Sequence, residues 1–343
     1  MAILLRLLIV LCCVAASAAA QVGDEAVRAI WGSADSYKTD ETDLTKAHYT
    51  FEESGSSSDV LVNWSNGMMV FKGIARSEDL MDEEGLKMEA RDYAYVKARE
   101  FLNGVIVGRE DEIEKRGLRQ VAGGSFDEKN AIMNKWKISI SVPPELVRTG
   151  PILSETFRQE EHPAKRNSSI AISEVSIALL LYNKEHPNEG ILARMLPTLR
   201  DEYKKIGIKQ AERPPEGAVQ ALKATEPELA THTGLVVDTR GYFMRPVASP
   251  QVFIEGQEGR QVYGVLAVDP KYVSQIGIAG WAKSPETVSA DRVGSKPLLV
   301  KACGTMGSAS GTVLLKPVDA ARVMAADTIR PFLQECRVVF VVD

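Results

Sequence analysis

Residues 60–75, Val60-Leu61-Val62-Asn63-Trp64-Ser65-Asn66-Gly67-Met68-Met69-Val70-Phe71-Lys72-Gly73-Ile74-Ala75, decide the fold class. Two apolar runs, Val60–Asn63 and Met68–Ala75, flank Asn66-Gly67, the dipeptide that most strongly signals a tight hairpin because both residues tolerate positive φ. An acidic start at Asp82-Glu83-Glu84 follows. Leu86, Ala90, Tyr93, Ala94, Phe101 and Leu102 then recur at near-helical spacing, with Lys87, Arg91 and Glu100 left for solvent. Asn103-Gly104 supplies a stop. This predicts an amphipathic helix of about 20 residues, long enough to cover a sheet of three or more strands.

From Ile132 to Val142, Ile132, Trp136, Ile138, Ile140 and Val142 alternate with Met133, Lys135, Lys137, Ser139 and Ser141, broken once by Asn134. Period two over that length predicts the longest strand of the sheet. Pro143-Pro144 ends it, because proline cannot donate to a ladder and restricts its predecessor. Residues 59–145 are therefore expected to form one α+β unit.

Residues 146–233 read as a helical insertion and linker. A polar stretch (Glu155–Ser169) precedes an apolar helical candidate, Ile170–Tyr182, that could equally be a buried strand; Glu189–Ile206 is a second helical candidate. Pro187 and Pro197 interrupt the pattern, and residues 211–233, opening on Glu212-Arg213-Pro214-Pro215, read as linker. Regular structure resumes at Gly234-Leu235-Val236-Val237-Asp238. Val252–Glu255, a Gly-rich turn at 256–259, Gln261–Val268, Pro297–Cys303, Thr312–Lys316 and Arg337–Val342 are expected strands, with a helix over Val318–Ile329. The fold class is then α+β: two small domains, 59–145 and 234–343, each a mostly antiparallel sheet covered by one or two helices.

The address lies at the other end. Met1–Ala20 has one basic residue (Arg6), an apolar run from Leu7 to Ala16 and Ala18-Ala19-Ala20 before Gln21, the pattern of a secretory signal cleaved between Ala20 and Gln21. The run is too short for a spanning helix. Cys12 follows Val10-Leu11 inside the apolar run, so a lipid-modified cysteine is not expected. Residues 21–58 are too polar to order themselves and read as a flexible leader. Removing residues 1–20 leaves 323 residues with 40 basic and 46 acidic side chains, a formal charge of -6. Such a protein has no bulk electrostatic reason to bind nucleic acid or anionic lipid.

Cys303 and Cys336 alone remain beyond residue 20. An oxidising compartment permits a disulfide between them if two neighbouring strands bring the sulfurs into reach; two buried free thiols are the equal alternative. His48, His162, His186 and His232 are isolated, so no metal site is expected. Asp238-Thr239-Arg240-Gly241 places a carboxylate and a guanidinium at a strand exit, where they could grip a polar ligand; Asp238 and Arg240 organising a turn, with Gly241 at positive φ, is the plainer reading. Gly304–Gly311 has a phosphate loop's composition without its GK[ST] ending. No G-x-S-x-G or H-E-x-x-H is present, and no cofactor is expected.

The run Asn66–Ala75, followed by Ala90-Arg91-Asp92-Tyr93-Ala94-Tyr95-Val96-Lys97-Ala98 and Leu102-Asn103-Gly104-Val105, resembles the LPP-twenty family of bacterial envelope lipoproteins, whose domain also begins flagellar assembly protein T. The likeness covers about residues 60–142. The second half, with Gly234-Leu235-Val236-Val237-Asp238-Thr239-Arg240-Gly241, Arg245-Pro246, Ser249-Pro250, Glu258–Gly264 and Gly294–Ala302, resembles a domain that often follows it in exported bacterial proteins. The resemblance implies a periplasmic or secreted, non-catalytic structural or interaction protein with envelope proteins as partners. The chain departs from that family in lacking the lipid-modified cysteine and in carrying residues 146–232. The rival expectation is a secreted hydrolase or small-ligand-binding protein using the Asp238/Arg240 region.

Overall fold

The computed structural model describes residues 48–49, 60–64, 67–78, 82–107, 141–162, 164, 168–184, 190–242, 244–306 and 311–343. The expected signal cleavage at Ala20/Gln21, the expected leader 21–58 apart from its residues 48–49, which pair with the sheet as a strand, and residues 132–140 of the alternating segment lie outside them.

The hairpin forms as its sequence requires. β2 (Val60–Asn63) pairs antiparallel with β3 (Met68–Ser77), and Gly67 turns the chain at φ 71°. β1 (His48–Tyr49) lies on the outer edge of β2. The inner partner of β3 comes from beyond residue 145. β5 (Ser169–Leu180) pairs antiparallel with β3 over ten positions, from Met68 opposite Leu180 to Ser77 opposite Ala171. The ambiguous segment at 170–182 is thus a strand, and its largely apolar run is what a central strand needs. β4 (Ile152–Glu161), the polar stretch, ends the order β1-β2-β3-β5-β4 among the described residues.

Helix α1 (Glu83–Leu102) covers one face of this sheet. Asp82 caps it by accepting from the Gly85 N–H at 2.6 Å, and Glu83 and Glu84 complement the positive end of the helix. Its buried stripe is Leu86, Ala90, Ala94, Ala98, Phe101 and Leu102. The alanines bring helix and sheet so close that a Cβ on Gly73 would lie 1.9 Å from the Ala90 carbonyl oxygen. Phe101 meets Phe71 edge to face with centroids 5.6 Å apart. Tyr93, expected on the buried face, is 46% exposed and donates to Glu89, because the stripe follows the four-residue alanine spacing and leaves Tyr93 off to one side. The helix does not stop at Asn103; it runs into one π turn, Asn103–Val107.

Short helix α2 (Pro144–Val147) leads into β4. After β5, helix α3 (Ile191–Lys205) confirms the second helical candidate and tolerates Pro197 on an exposed position. The expected linker contains β6 (Lys209–Gln210), helix α4 (Glu216–Thr225) and a 3₁₀ turn, Pro227–Thr231.

The second half departs most from expectation, since its main sheet is parallel throughout. Its order is β10 (Gly280–Ala282), β14 (Val338–Val341), β7 (Leu235–Asp238), β11 (Leu298–Lys301). β7 and β14 are buried on both faces, which is why they read as continuous apolar runs. The crossovers carry helices α5 (Pro270–Ile276), α6 (Ala290–Val293) and α7 (Pro317–Ile329). A second, mixed sheet follows the order β12 (Gly304–Thr305), β13 (Thr312–Leu315), β8 (Gln251–Ile254), β9 (Gln257–Tyr263), β6, with β13·β8 and β9·β6 parallel. The α+β class with helix-covered sheets holds; the mostly antiparallel pairing does not extend to this half.

One continuous hydrophobic core joins the two halves. Trp64 meets Trp281 at 6.3 Å, and Trp281 stacks on Phe340 at 5.3 Å. The Tyr182 ring is wedged against Gly67 and Gly277, where added Cβ atoms would lie 2.8 and 2.7 Å from it, and its hydroxyl donates to the Trp64 carbonyl at 2.8 Å.

Candidate functional site

A parallel sheet gathers the loops at the carboxyl ends of its strands, the usual place for ligands in open α/β sheets. Asp238 ends β7 level with Lys301 of β11 and Val341 of β14. Thr239 is fully buried, and both its N–H and its hydroxyl donate to the Val341 carbonyl, at 2.8 and 2.7 Å. That double bond fixes the turn. Gly241, at φ 86°, then lets its N–H donate to the Asp343 carboxylate at 2.9 Å.

The turn brings the sequence-predicted pair together. Arg240 donates from Nε and Nη2 to the two oxygens of Asp238, at 2.9 and 2.7 Å, and its backbone N–H reaches the same carboxylate at 3.1 Å. The guanidinium, with a smaller contribution from the Lys301 charge, holds the Asp238 carboxyl below its ordinary value; Asp238 in turn raises Arg240. Both carboxylate oxygens are thus engaged by one residue two positions away. Chemically this is a closed, bidentate ion pair that organises a turn.

Sequence reasoning missed the groups around it: Lys283, which donates to the Asp343 backbone carbonyl at 3.3 Å, and Glu286, whose carboxyl is lowered first by a hydrogen bond from Ser284 and also by the Arg240 charge. Lys283 directly follows β10, and Lys301 ends β11. Only the parallel pairing aligns these strand ends, and no local pattern announces it.

A cavity of about 260 Å³ lies elsewhere, between α7, the β8–β9 hairpin and residues 211–214. Ile254, Pro317, Ala320 and Met324 make its apolar wall, and Arg260 pairs with Glu212 at 3.0 Å beside it. Asp238 and Arg240 take no part in it.

Cys303 and Cys336 are free thiols. The pairing considered from sequence fails on topology. β11 and β14 flank β7 on opposite sides and run parallel, so Cys303 follows the carboxyl end of one while Cys336 precedes the amino end of the other. A strand's length, about 10 Å at 3.3 Å per residue, separates those ends, beyond disulfide reach. Burial pushes the Cys336 thiol up to about 12 and Cys303 up to about 11.

Of the histidines, His162 Nε2 lies 2.9 Å from Glu78 and His232 Nδ1 lies 3.2 Å from the Lys296 carbonyl; the His186 side chain and that of His48 lie outside the described residues. Among the described residues no group of three His, Cys, Asp or Glu side chains could hold a metal ion, and no helix is long and apolar enough to cross a membrane. In the Gly304–Gly311 stretch, β12 pairs antiparallel with β13, and residues 307–310 lie outside the described residues.

Residues 234–343, the span from β7 to β14, match the family model of the second domain of Treponema pallidum Tp0624. No curated protein matches the chain.

Proposed function

We propose that the chain is an exported, non-catalytic structural or interaction protein of the bacterial cell envelope, with other envelope proteins as partners and no cofactor. The observation that carries this reading is the closed Asp238–Arg240 pair. A hydrolase or ligand-binding protein working through this region needs the carboxylate or the guanidinium turned toward a substrate; here each is consumed by the other, and the cavity is built from different residues. The signal-like Met1–Ala20 and the LPP-twenty resemblance of residues 60–142, which links the chain to flagellar or outer-membrane assembly, support the same direction.

The test expresses the full chain with its own first 20 residues in a bacterial host, sequences the amino terminus of the periplasmic fraction, and purifies the tagged protein from cross-linked envelope extracts. The reading expects a terminus at Gln21 and envelope proteins whose reciprocal purification returns this chain, unchanged by a joint Asp238→Ala, Arg240→Ala substitution. Retention in the cytoplasm, or partner capture abolished by that double substitution, overturns it.

A further inference from the structure

The walls of the cavity beside α7 are fixed by regular structure. Ala320 and Met324 of α7 are 1% and 5% exposed, and Ile254 of the β8–β9 hairpin stands in parallel register with Leu315. The remaining wall, residues 211–214, is held where the Ala211 N–H donates to the Gln261 carbonyl at 2.7 Å. Alanines at 211, 320 and 321 leave the space, and Pro214 and Pro317, each with a fixed φ, stiffen its lining. Its size selects the occupant. The volume, about 260 Å³, exceeds the roughly 150 Å³ that encloses benzene in an apolar cavity and falls short of the roughly 300–1,000 Å³ of drug-sized sites. A single ring or branched aliphatic body with a short arm fits it.

Charge selects the arm. Arg260 donates from Nη1 to one oxygen of Glu212 at 3.0 Å, and its Nε and Nη2 make no hydrogen bond among the described residues. The Glu212 side chain is 82% exposed, so this single contact lies in water, is weak, and yields to a better acceptor. The Asp238–Arg240 pair differs, because there both carboxylate oxygens and three N–H groups are engaged. Other acids near the cavity are directed elsewhere: Asp319 pairs with Arg322 at 3.3 Å, and Glu255 acts on Cys303. An incoming carboxylate can therefore take the two-pronged contact with Arg260 that Glu212 leaves unused. Gln257 adds an amide to the same wall.

We propose that this cavity binds a small amphipathic carboxylate, its apolar body against Ile254, Ala320 and Met324 and its carboxylate on Arg260, with Glu212 as the competing acid that the ligand displaces. The site leaves the Asp238–Arg240 turn closed and requires no catalysis.

The test titrates the full chain, labelled at its methionine methyls, with 3-phenylpropionate, 3-phenylpropanol and 3-phenylpropylamine, following the Met324 resonance, assigned through Met324→Leu, and the heat of binding. The acid should shift Met324 saturably with a Kd of about 1 mM or below, at least about tenfold tighter than the alcohol or the amine. Arg260→Gln should bring acid and alcohol within about twofold of each other, and Ala321→Leu, which fills the space, should weaken both at least about tenfold. Glu212→Gln should tighten the acid at least about threefold and leave the alcohol unchanged, a gain that misfolding cannot mimic. Thermal melts confirm that each variant folds. No saturable shift of Met324 with the acid, equal affinity for acid and alcohol in the unmodified chain, or acid binding that Glu212→Gln fails to tighten would overturn the proposal.

Discussion

Replacing Gly73 with alanine tests the contact that holds α1 on its sheet. The new Cβ would lie 1.9 Å from the Ala90 carbonyl oxygen, 2.5 Å from the Ala94 nitrogen and 3.0 Å from the Ala94 Cβ. Ordinary contact begins near 3.4 Å, and the two nearest atoms belong to helix backbone, so no side-chain rotation relieves the clash. The helix must retreat by roughly 1.5 Å over its middle turns, loosening Phe71 against Phe101 and the Ala90–Ala98 stripe. Overpacking of this kind costs about 1–3 kcal/mol, and a backbone clash belongs at the upper end. Gly217, inside α4 with nothing within 4 Å, is the control: alanine there removes a flexible residue from a helix and should stabilise by about 0.5–1 kcal/mol. Both variants are read from urea unfolding midpoints followed by far-UV circular dichroism. A Gly73→Ala change within about 0.5 kcal/mol of wild type, the range of an ordinary surface substitution, would refute the close approach and with it the placement of α1.

Phe101→Ala should cost about 3–5 kcal/mol and Tyr93→Ala less than about 1 kcal/mol in the same assay, since one fills the core and the other lies half-exposed on it; equal losses would contradict the helix orientation. Thiol titration of the unreduced, denatured chain from Gln21 onward should return two free thiols, while in the native protein both alkylate slowly at pH 8 because burial keeps them protonated; a disulfide-linked peptide would sink the parallel arrangement. Asp327 accepts from the N–H groups of Phe332 and Leu333 at 2.9 and 2.8 Å, so Asp327→Ala should cost about 1–3 kcal/mol for each orphaned amide, checked by thermal unfolding. Asp238 is held below its ordinary value of 3.8, so the stability it shares with Arg240 is present above that pH and is lost as pH falls through the lowered value. The melting-temperature gap between wild type and Arg240→Ala should therefore close in acid, and a gap that widened below pH 3.8 would reverse the sign of the argument.

The elements legible in the sequence were those whose signal is local. Asn66-Gly67, the acidic start of α1 and the apolar runs at 235–237 and 338–341 each carry their own instruction. Pairing was not local. Leu235 finds its partner Val338 about a hundred residues away, and nothing in either run distinguishes a parallel from an antiparallel neighbour, so both the strand direction and the considered Cys303–Cys336 bond followed the commoner pairing. β4 reads as merely polar because a strand with both faces partly wet shows no alternation. Tyr93 misled because an aromatic outweighs alanine in any reading of periodicity, whereas close helix packing is made by the alanines. At the candidate site, Asp238, Arg240 and Gly241 were visible as a motif; that Arg240 closes on Asp238, and that Lys283, Lys301 and Asp343 gather round them, required the sheet.

The position of β7 between β11 and β14 bears on how the chain becomes a protein at all. β7 is made early in the second half, yet one of its two neighbours is β14, the last strand formed, with both mixed-sheet hairpins and three helices synthesised in between. Loop closure over such distances is slow, and until β14 arrives the apolar Leu235–Val237 run has an open side. A chain threading outward from its amino end would therefore complete α1 and its sheet first and hold β7 half-paired until the final strand emerges. That interval is when a chaperone would have most to bind, and a nonsense mutation just before Val338 should yield an aggregating product even though more than nine-tenths of the sequence is present.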